Sequence, residues 1–156
     1  MANEKTALKI LAEIQYATIA TTNNDGEPWN TPVFYVADGY TLYWSSNPSS
    51  VHSKNIANNG KAFIVIYNSK AGQGEGVGLY IKATVHMLED EEEITHALNL
   101  LGGRRGKPFK HVEKFMDDGP QRIYKAVPLQ LWTNDAHQDA DGDFIEDFRI
   151  EAIIPT

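Results

Sequence analysis

Residues 39–67 read GYTLYWSSNPSSVHSKNIANNGKAFIVIY and decide the fold. The first part, TLYWSS (41–46), has apolar and aromatic residues at a period of two, which predicts a β-strand. The last part, AFIVIY (62–67), is a continuous apolar and aromatic run, which predicts a strand buried on both faces. A simple connection between them would need only about four to six residues. The longer polar segment 47–59 therefore predicts a loop and a short helix with a function of their own.

This polar segment carries donors suited to an anion. Ser50, His52, Ser53 and Lys54 lie within five residues of one another, at the predicted start of a helix. A phosphate at such a junction needs backbone N–H groups, hydroxyls and one or two cations. We therefore expect a phosphate site here. The alternative is that the serines only cap the helix and that Lys54 is a solvated surface charge.

Composition limits the function classes that remain. The 156-residue chain has a net charge of −7, which argues against a general nucleic-acid or anionic-membrane surface. It has no cysteine, which excludes disulfides and thiolate catalysis, and its five histidines show no metal-ligand spacing. The N-terminus lacks a signal-peptide core, and no apolar run approaches the roughly 20 residues of a membrane span. We expect one cytoplasmic domain spanning residues 1–156, with no metal site.

The other segments predict a mainly β domain with peripheral helices. Asp25-Gly26 between two β-branched and aromatic runs is a strong hairpin signal, and Pro32 predicts an edge or bulge in the second strand. Repeated short strands with such turns favour a small antiparallel barrel. Strands are expected at 17–22, 29–37, 41–46, 62–67, 77–88, 122–133 (one or two strands, divided at Pro128) and in the run from residue 144.

Three helical segments are expected outside the strands. An amphipathic helix at 3–15 has Asn3 as its cap. A helical insertion occupies about residues 90–118. Its first helix starts at a capping box formed by Asp90 and Glu93 and is closed by Gly102-Gly103, and its second starts at Pro108.

Taken in order, these blocks resemble a known family. ATIATTNNDGEPWNTPVFYV, DGYTLYWSS, SSVHSKNIANNGKAFIVIY and GLYIKATV are similar to the pyridoxamine 5′-phosphate oxidase-like FMN-binding split-barrel family, over roughly residues 5–133. The resemblance implies a six-stranded antiparallel split β-barrel. It also implies a homodimer with FMN at the subunit interface, the flavin phosphate near the loop after the third strand, and the ring along the second and third strands.

Several residues match positions that bind the cofactor in that family. The residues that match the ring-lining strands are Thr31, Pro32, Val33, Trp44 and Ser45, and Trp132 matches an aromatic residue near the C-terminus. Trp44 is the aromatic residue we expect to flank the ring, because it lies near the end of the strand that leads into the phosphate loop.

The phosphate-binding positions differ from those of the oxidase. Ser50, Val51 and His52 match a Ser-Arg-Lys triplet in which only the serine is retained, and Lys54 follows as a replacement charge. Thr31 replaces the arginine that opens the oxidase's ring-binding strand. The resemblance is therefore to the general stress protein-like branch rather than to the oxidase proper.

Three function classes follow. The first is an FMN-dependent oxidoreductase acting on a small-molecule substrate or electron donor, in which the flavin carries the chemistry and no catalytic side chain is assigned. The second is a non-catalytic FMN- or haem-binding stress or sensor protein. The third is a cofactor-free dimeric barrel with a structural loop. We expect the first.

Overall fold

The computed structural model describes residues 2–154, which form one antiparallel sheet and peripheral helices. The strands are β1 (Tyr16–Thr22), β2 (Pro28–Asp38), β3 (Thr41–Ser46), β4 (Lys61–Ile66), β5 (Leu79–Met87), β6 (Arg122–Gln138) and β7 (Phe144–Ala152). The α-helices are α1 (Ala2–Glu13), α2 (Val51–Asn59) and α3 (Glu91–Arg105), and a 3-10 helix spans Val112–Phe115. Within this part of the chain, no helix has the length and apolarity needed to cross a membrane.

The sheet closes into a barrel. Its strand order is β3-β2-β1-β4-β5-β6-β7, and the additional pairing of β3 with β6 joins the first six strands into a ring. Along β6, residues 122–126 pair with β3, whereas residues 131–138 pair with β7. Since β5 occupies the other edge of β6, β3 and β7 share one edge and the barrel is split between them. The predicted antiparallel split-barrel fold is confirmed.

The sixth strand is one strand rather than two. Its pairing with β5 shifts register between Lys82 and Ala83, which lie opposite Gln130 and Pro128. A bulge of this kind accommodates a proline, which has no N–H to donate to the ladder. The strand also continues to Gln138, beyond the predicted end at residue 133, because β7 pairs with its last residues.

Helices close the two ends of the barrel. Tyr35, Trp44, Ile64 and other fully buried residues fill the interior. Leu11 of α1 packs into this core near the start of β1, and Ile56 of α2 belongs to the same cluster. The Asn55 amide of α2 donates to the Thr21 hydroxyl at 3.0 Å, which fixes this helix at the far end of β1.

The outer surface of the barrel is only partly covered. Ile94, Leu98 and Leu101 of α3, together with Phe115 of the 3-10 helix, pack against residues of β2, β3 and β6. The outer face of β1, β4 and β5 has no such cover in the described part of the chain. There Phe63 stacks on Trp132 with ring centroids 6.3 Å apart, and Phe63 remains 41% exposed.

The helix boundaries correct two predictions. Asn3 is not a cap, because α1 already begins at Ala2. Gly102-Gly103 does not end α3. Gly102 is buried, and a Cβ on it would lie 3.2 Å from the Pro108 Cα, so the glycine permits close packing. The helix ends instead at Gly106, whose φ of 73° is the left-handed conformation that favours glycine.

The predicted helix from Pro108 is reduced to the 3-10 turn. Phe109 lies before the turn, where its ring makes an edge contact with Phe115 at 5.2 Å between centroids and lies 3.5 Å from the Arg105 guanidinium carbon. Asp117, with φ of 43°, ends the segment. In contrast, the capping role of Asp90 is confirmed, because its carboxylate accepts the Glu93 N–H at 2.9 Å.

Candidate functional site

A cluster of hydroxyls and one imidazole lies where β3 ends and α2 begins. His52 Nε2 is 2.8 Å from the Ser46 Oγ and 3.2 Å from the Ser50 Oγ. The Ser50 Oγ is also 2.8 Å from the Ser53 Oγ. Ser46 and Ser53 are buried, whereas Ser50 and His52 are half-buried and reach the surface. We refer to Ser46, Ser50, His52 and Ser53 as the serine–histidine cluster.

A turn before α2 positions this cluster. The Asn47 side-chain oxygen accepts the Ser49 N–H at 2.7 Å, and the Asn47 carbonyl accepts the Ser50 N–H at 3.1 Å. This places Ser50 at the N-cap of α2 with extended backbone, φ −66° and ψ 155°. Its side chain makes no capping hydrogen bond. The Ser50 hydroxyl instead lies 2.8 Å from the Asn47 carbonyl oxygen and also contacts His52 and Ser53, so capping alone does not describe its role.

The electrostatics of the cluster are close to neutral. Burial lowers the pKa of His52 from its ordinary value, because desolvation penalises the imidazolium. Burial therefore favours the neutral imidazole, which offers a hydrogen bond rather than a full charge. Lys54 lies in the same helix turn and is exposed. An anion here would be held by hydroxyls, imidazole and the N-terminal N–H groups of a nine-residue helix.

The second strand has an open edge beside this end of the barrel. Residues 28–34 pair with β1 on one side, but pairing with β3 begins only at Tyr35. The other edge of residues 28–34 therefore has no strand partner among the described residues. Pro32 is exposed and lies opposite Thr18, whereas Thr31 is half-buried and Val33 is buried. Only Pro32 of these three presents its side chain fully to the surface.

The structure places Trp44 in the core. Its side chain is 0% exposed and stacks on Tyr124, with ring centroids 5.9 Å apart. The Trp44 side chain faces the barrel interior, whereas α3 covers the opposite face of β3 at Tyr43. The Trp44 ring has no exposed face in the described part of the chain, and its expected contact with a flavin ring stays a prediction.

The remaining predicted residues lie apart from the serine–histidine cluster. Ser45 points outward and its hydroxyl donates to the Gln121 side-chain oxygen at 3.1 Å. Trp132 is half-buried on the uncovered outer face, against Phe63. The structure thus brings Ser50 and His52 together. Trp132 lies apart from them, in the half of β6 that does not pair with β3.

Sequence reasoning named Ser53 among the donors of the phosphate site but missed Ser46. Ser46 had a detectable signal, because it lies two residues after Trp44 on the same face of a strand. It was overlooked because a buried serine in a strand carries no ligand signal until its neighbours are known.

Comparison with solved structures supports the fold. A candidate 5-nitroimidazole antibiotic resistance protein from Bacteroides thetaiotaomicron is 17% identical, with TM-score 0.72 and 85% of this chain and 84% of that chain covered. A FAD-binding protein from Mesorhizobium loti is 18% identical, with TM-score 0.64 and 83% and 91% covered. The haem storage protein HutZ from Vibrio cholerae is 17% identical, with TM-score 0.69 and 84% and 94% covered.

These likenesses show a common fold among proteins whose ligands differ. No curated protein matches the chain. The family model described as pyridoxamine 5′-phosphate oxidase matches residues 4–135, which is most of the chain. The chain therefore belongs to the pyridoxamine 5′-phosphate oxidase-like split-barrel family.

Proposed function

We propose that this protein binds FMN and acts as a flavin-dependent oxidoreductase on a small molecule. The observation that carries the proposal is the serine–histidine cluster at the N-terminus of α2. Its side chains Ser50 and His52 reach the surface and are held in place by two buried hydroxyls, Ser46 and Ser53. Hydroxyls and helix N–H groups are the donors that a phosphate ester requires.

The open edge of β2 supports the same proposal. A flavin ring has carbonyl oxygens and ring nitrogens along one side, and it needs backbone partners for them. Residues 28–34 offer unpaired backbone groups on one edge, and Pro32 offers a flat apolar contact. When bound, FMN would supply the electron-transfer chemistry, and the protein would bind and orient it. Thr31 and Val33 would then act through their backbone atoms.

A homodimer is part of the proposal. On the uncovered outer face, Phe63 of β4 stacks on Trp132 of β6, and Phe63 is 41% exposed. Exposed aromatic residues of this kind are enriched in protein interfaces. A second copy of the chain would cover this face and enclose the flavin ring.

Haem is the second candidate ligand, because a haem storage protein shares this fold. An absorption spectrum of the freshly isolated protein separates the two. Flavin bands support the FMN proposal, and a Soret band supports a non-catalytic haem-binding role. Turnover of an electron acceptor by the flavin-loaded protein is required for the oxidoreductase role.

Removal of a cluster side chain should weaken FMN binding. Loss of one hydrogen bond to a charged group costs about 1.5–3 kcal/mol, so we expect His52→Ala and Ser50→Ala each to raise the FMN Kd by about 10- to 150-fold. Fluorescence titration with FMN measures this change. His111→Ala is the matched control, because His111 is exposed and pairs with Glu113 away from the cluster.

Unchanged FMN affinity in both cluster variants would show that the FMN phosphate does not bind at the serine–histidine cluster. Urea unfolding of each variant checks that a loss of affinity does not come from a loss of folded protein. Lys54→Ala provides a further comparison. Since Lys54 is exposed, its effect should be smaller than that of His52→Ala and should shrink with added salt.

Introduction of a charge on the uncovered face should dissociate the dimer. A carboxylate buried in an apolar contact has no partner there, so Phe63→Asp should raise the dimer dissociation constant by about 100-fold or more. Light scattering over a concentration series measures the change. Leu8→Asp on α1 is the control, since Leu8 is 43% exposed but lies on a different surface. A wild-type protein that is monomeric at all concentrations would contradict the proposal.

A further inference from the structure

A buried arginine lies on the strand next to the serine–histidine cluster. Arg122, the first residue of β6, is 8% exposed. In the ladder between β3 and β6 it pairs directly with Ser46, the cluster residue whose Oγ lies 2.8 Å from His52 Nε2. Residues paired in this way have Cβ atoms about 4.5–5.5 Å apart. Arg122 is therefore the immediate neighbour of the cluster across the sheet.

Arg122 and Ser46 lie on the face of the sheet that lines the barrel interior. Trp44 and Tyr124, two residues away on the same strands, stack on each other in the core. Because side chains alternate between the two faces of a strand, Ser46 and Arg122 share this face. Ile123 lies on the other face and packs with residues of α3. The charge of Arg122 is thus enclosed at the end of the barrel where α2 begins.

The Arg122 guanidinium has neutral acceptors and no anion. Its Nη1 donates to the Asp117 carbonyl at 3.0 Å, and its Nη2 donates to the Leu88 carbonyl at 2.9 Å. Its Nε is buried and has no hydrogen-bond partner. Although the chain has 21 acidic residues, none of them forms an ion pair with Arg122 within residues 2–154. A buried cation without a counter-charge is costly, which indicates an anion that the chain itself does not supply.

Arg104 also binds backbone carbonyls, and it has the compensation that Arg122 lacks. Its acceptors at Leu11 and Ile14 lie at the C-terminal end of α1, where the helix dipole is negative. Its guanidinium also lies 4.8 Å from the Tyr35 ring centroid. The acceptors of Arg122 instead follow a β-strand and a four-residue 3-10 turn, and no aromatic ring of the described chain lies against its guanidinium. The folded chain therefore leaves the positive charge of Arg122 unmatched.

We propose that Arg122 supplies the positive charge of the phosphate site and makes the site selective for phosphorylated over unphosphorylated flavin. This role rests on the proposed FMN function. The cluster side chains provide the hydrogen bonds, and Arg122 acts on the ligand through its charge rather than by contact. Two strand spacings, about 10 Å, separate Ser46 of β3 from the end of β5, where the Leu88 carbonyl holds the guanidinium. A phosphate monoester carries a charge of about −1.5 to −2 at pH 7, so this field favours it over a neutral ligand.

Titration with FMN and with riboflavin, which lacks the phosphate, separates an effect of charge from an effect of structure. Arg122→Met should raise the FMN Kd by about 5- to 20-fold, the effect of one unit charge at about 10 Å and an effective dielectric constant of about 20. It should leave the riboflavin Kd unchanged. Arg122→Lys keeps the charge and should retain most of the FMN affinity. Arg105→Met is the control, because Arg105 is exposed and bonds only within its own turn.

A second measurement uses the wild-type protein, because loss of two hydrogen bonds can unfold Arg122→Met. Nitrogen-15 NMR records the Arg122 Nε–H signal, which is identified by its absence from the Arg122→Lys spectrum. Inorganic phosphate should shift this signal saturably, and sodium chloride at the same ionic strength should not.

The outcomes distinguish the role of Arg122 from the FMN proposal. Equal rises of the FMN and riboflavin Kd in Arg122→Met would give Arg122 a structural role only, and FMN binding would stand. An Nε–H signal that does not respond to phosphate would also overturn the role of Arg122. If neither flavin binds but phosphate still shifts the signal saturably, the anion-binding role of Arg122 stands and the FMN function fails.

Discussion

Trp44→Ala is expected to lower the free energy of unfolding by about 3–5 kcal/mol, the usual cost of removing a large buried aromatic side chain. Trp44 is 0% exposed and its ring stacks on Tyr124 inside the barrel. Its removal would leave a cavity between strands that are also held from outside by α3, so the barrel cannot easily collapse around it. Urea unfolding followed by circular dichroism measures the change.

Trp29→Ala is the matched control for this prediction. Trp29 is 46% exposed on β2, so its removal should change stability by less than about 1 kcal/mol. Trp44→Phe separates a core role from a ligand role. It keeps most of the buried volume and removes an indole N–H that has no hydrogen-bond partner. FMN affinity should therefore stay at the wild-type value in the folded Trp44→Phe protein, and a large loss of affinity would show that the indole contacts the flavin.

Arg104→Met should lower the free energy of unfolding by about 2–3 kcal/mol, because hydrogen bonds from a charged group to buried acceptors are among the stronger ones. The Arg104 guanidinium donates to the carbonyls of Leu11, in the last turn of α1, at 3.0 Å and of Ile14, just after the helix, at 2.6 Å. Its carbon lies 4.8 Å from the Tyr35 ring centroid. Methionine keeps the length of the side chain but removes the guanidinium donor from both carbonyls, and the Leu11 carbonyl keeps only the Tyr35 hydroxyl, at 3.2 Å.

The neighbouring arginine provides the control. Arg105 is exposed and bonds only to carbonyls of its own turn, at Lys107 and Pro108. Arg105→Met should therefore cost less than about 1 kcal/mol. Equal effects of the two substitutions would show that the link between α3 and α1 adds no stability. Amide hydrogen exchange would locate the loss, since protection should fall first in α1 for Arg104→Met.

Local signals predicted much of the fold. The Asp25-Gly26 turn joins β1 to β2 as expected, with Gly26 at φ 80°. The loop and short helix between β3 and β4 are also where the sequence placed them, because a polar segment of that length between two apolar strands has few alternatives. The closure of the barrel through β3 and β6 was given by the family resemblance, and no local pattern in either strand specifies that pairing.

Long-range packing explains what the sequence did not reveal. The outward face of β3, which includes Tyr43, is buried because α3 lies over it. The sequence does not reveal this cover, and it therefore does not distinguish the aromatic residues on the two faces of the strand. The Trp44 ring was therefore assigned to a ligand although it fills the core. Similarly, Gly102 looked like a helix end, and only its contact with Pro108 shows that it permits close packing.

The site itself was predicted in part. Ser50 and His52 were identified from their place at a loop-to-helix junction, and the structure brings their side chains together. The buried supports Ser46 and Ser53 depend on the turn at Asn47, whose geometry the sequence does not specify. Whether these residues bind a phosphate remains a prediction, and so does the dimer.

The most direct test of the account is a titration of the purified wild-type protein with FMN, with flavin fluorescence and light scattering recorded on the same samples. The account predicts saturation at one FMN per chain in a particle of two chains, with affinity reduced in His52→Ala. A colourless monomer whose fluorescence signal shows no saturable response to FMN would contradict it.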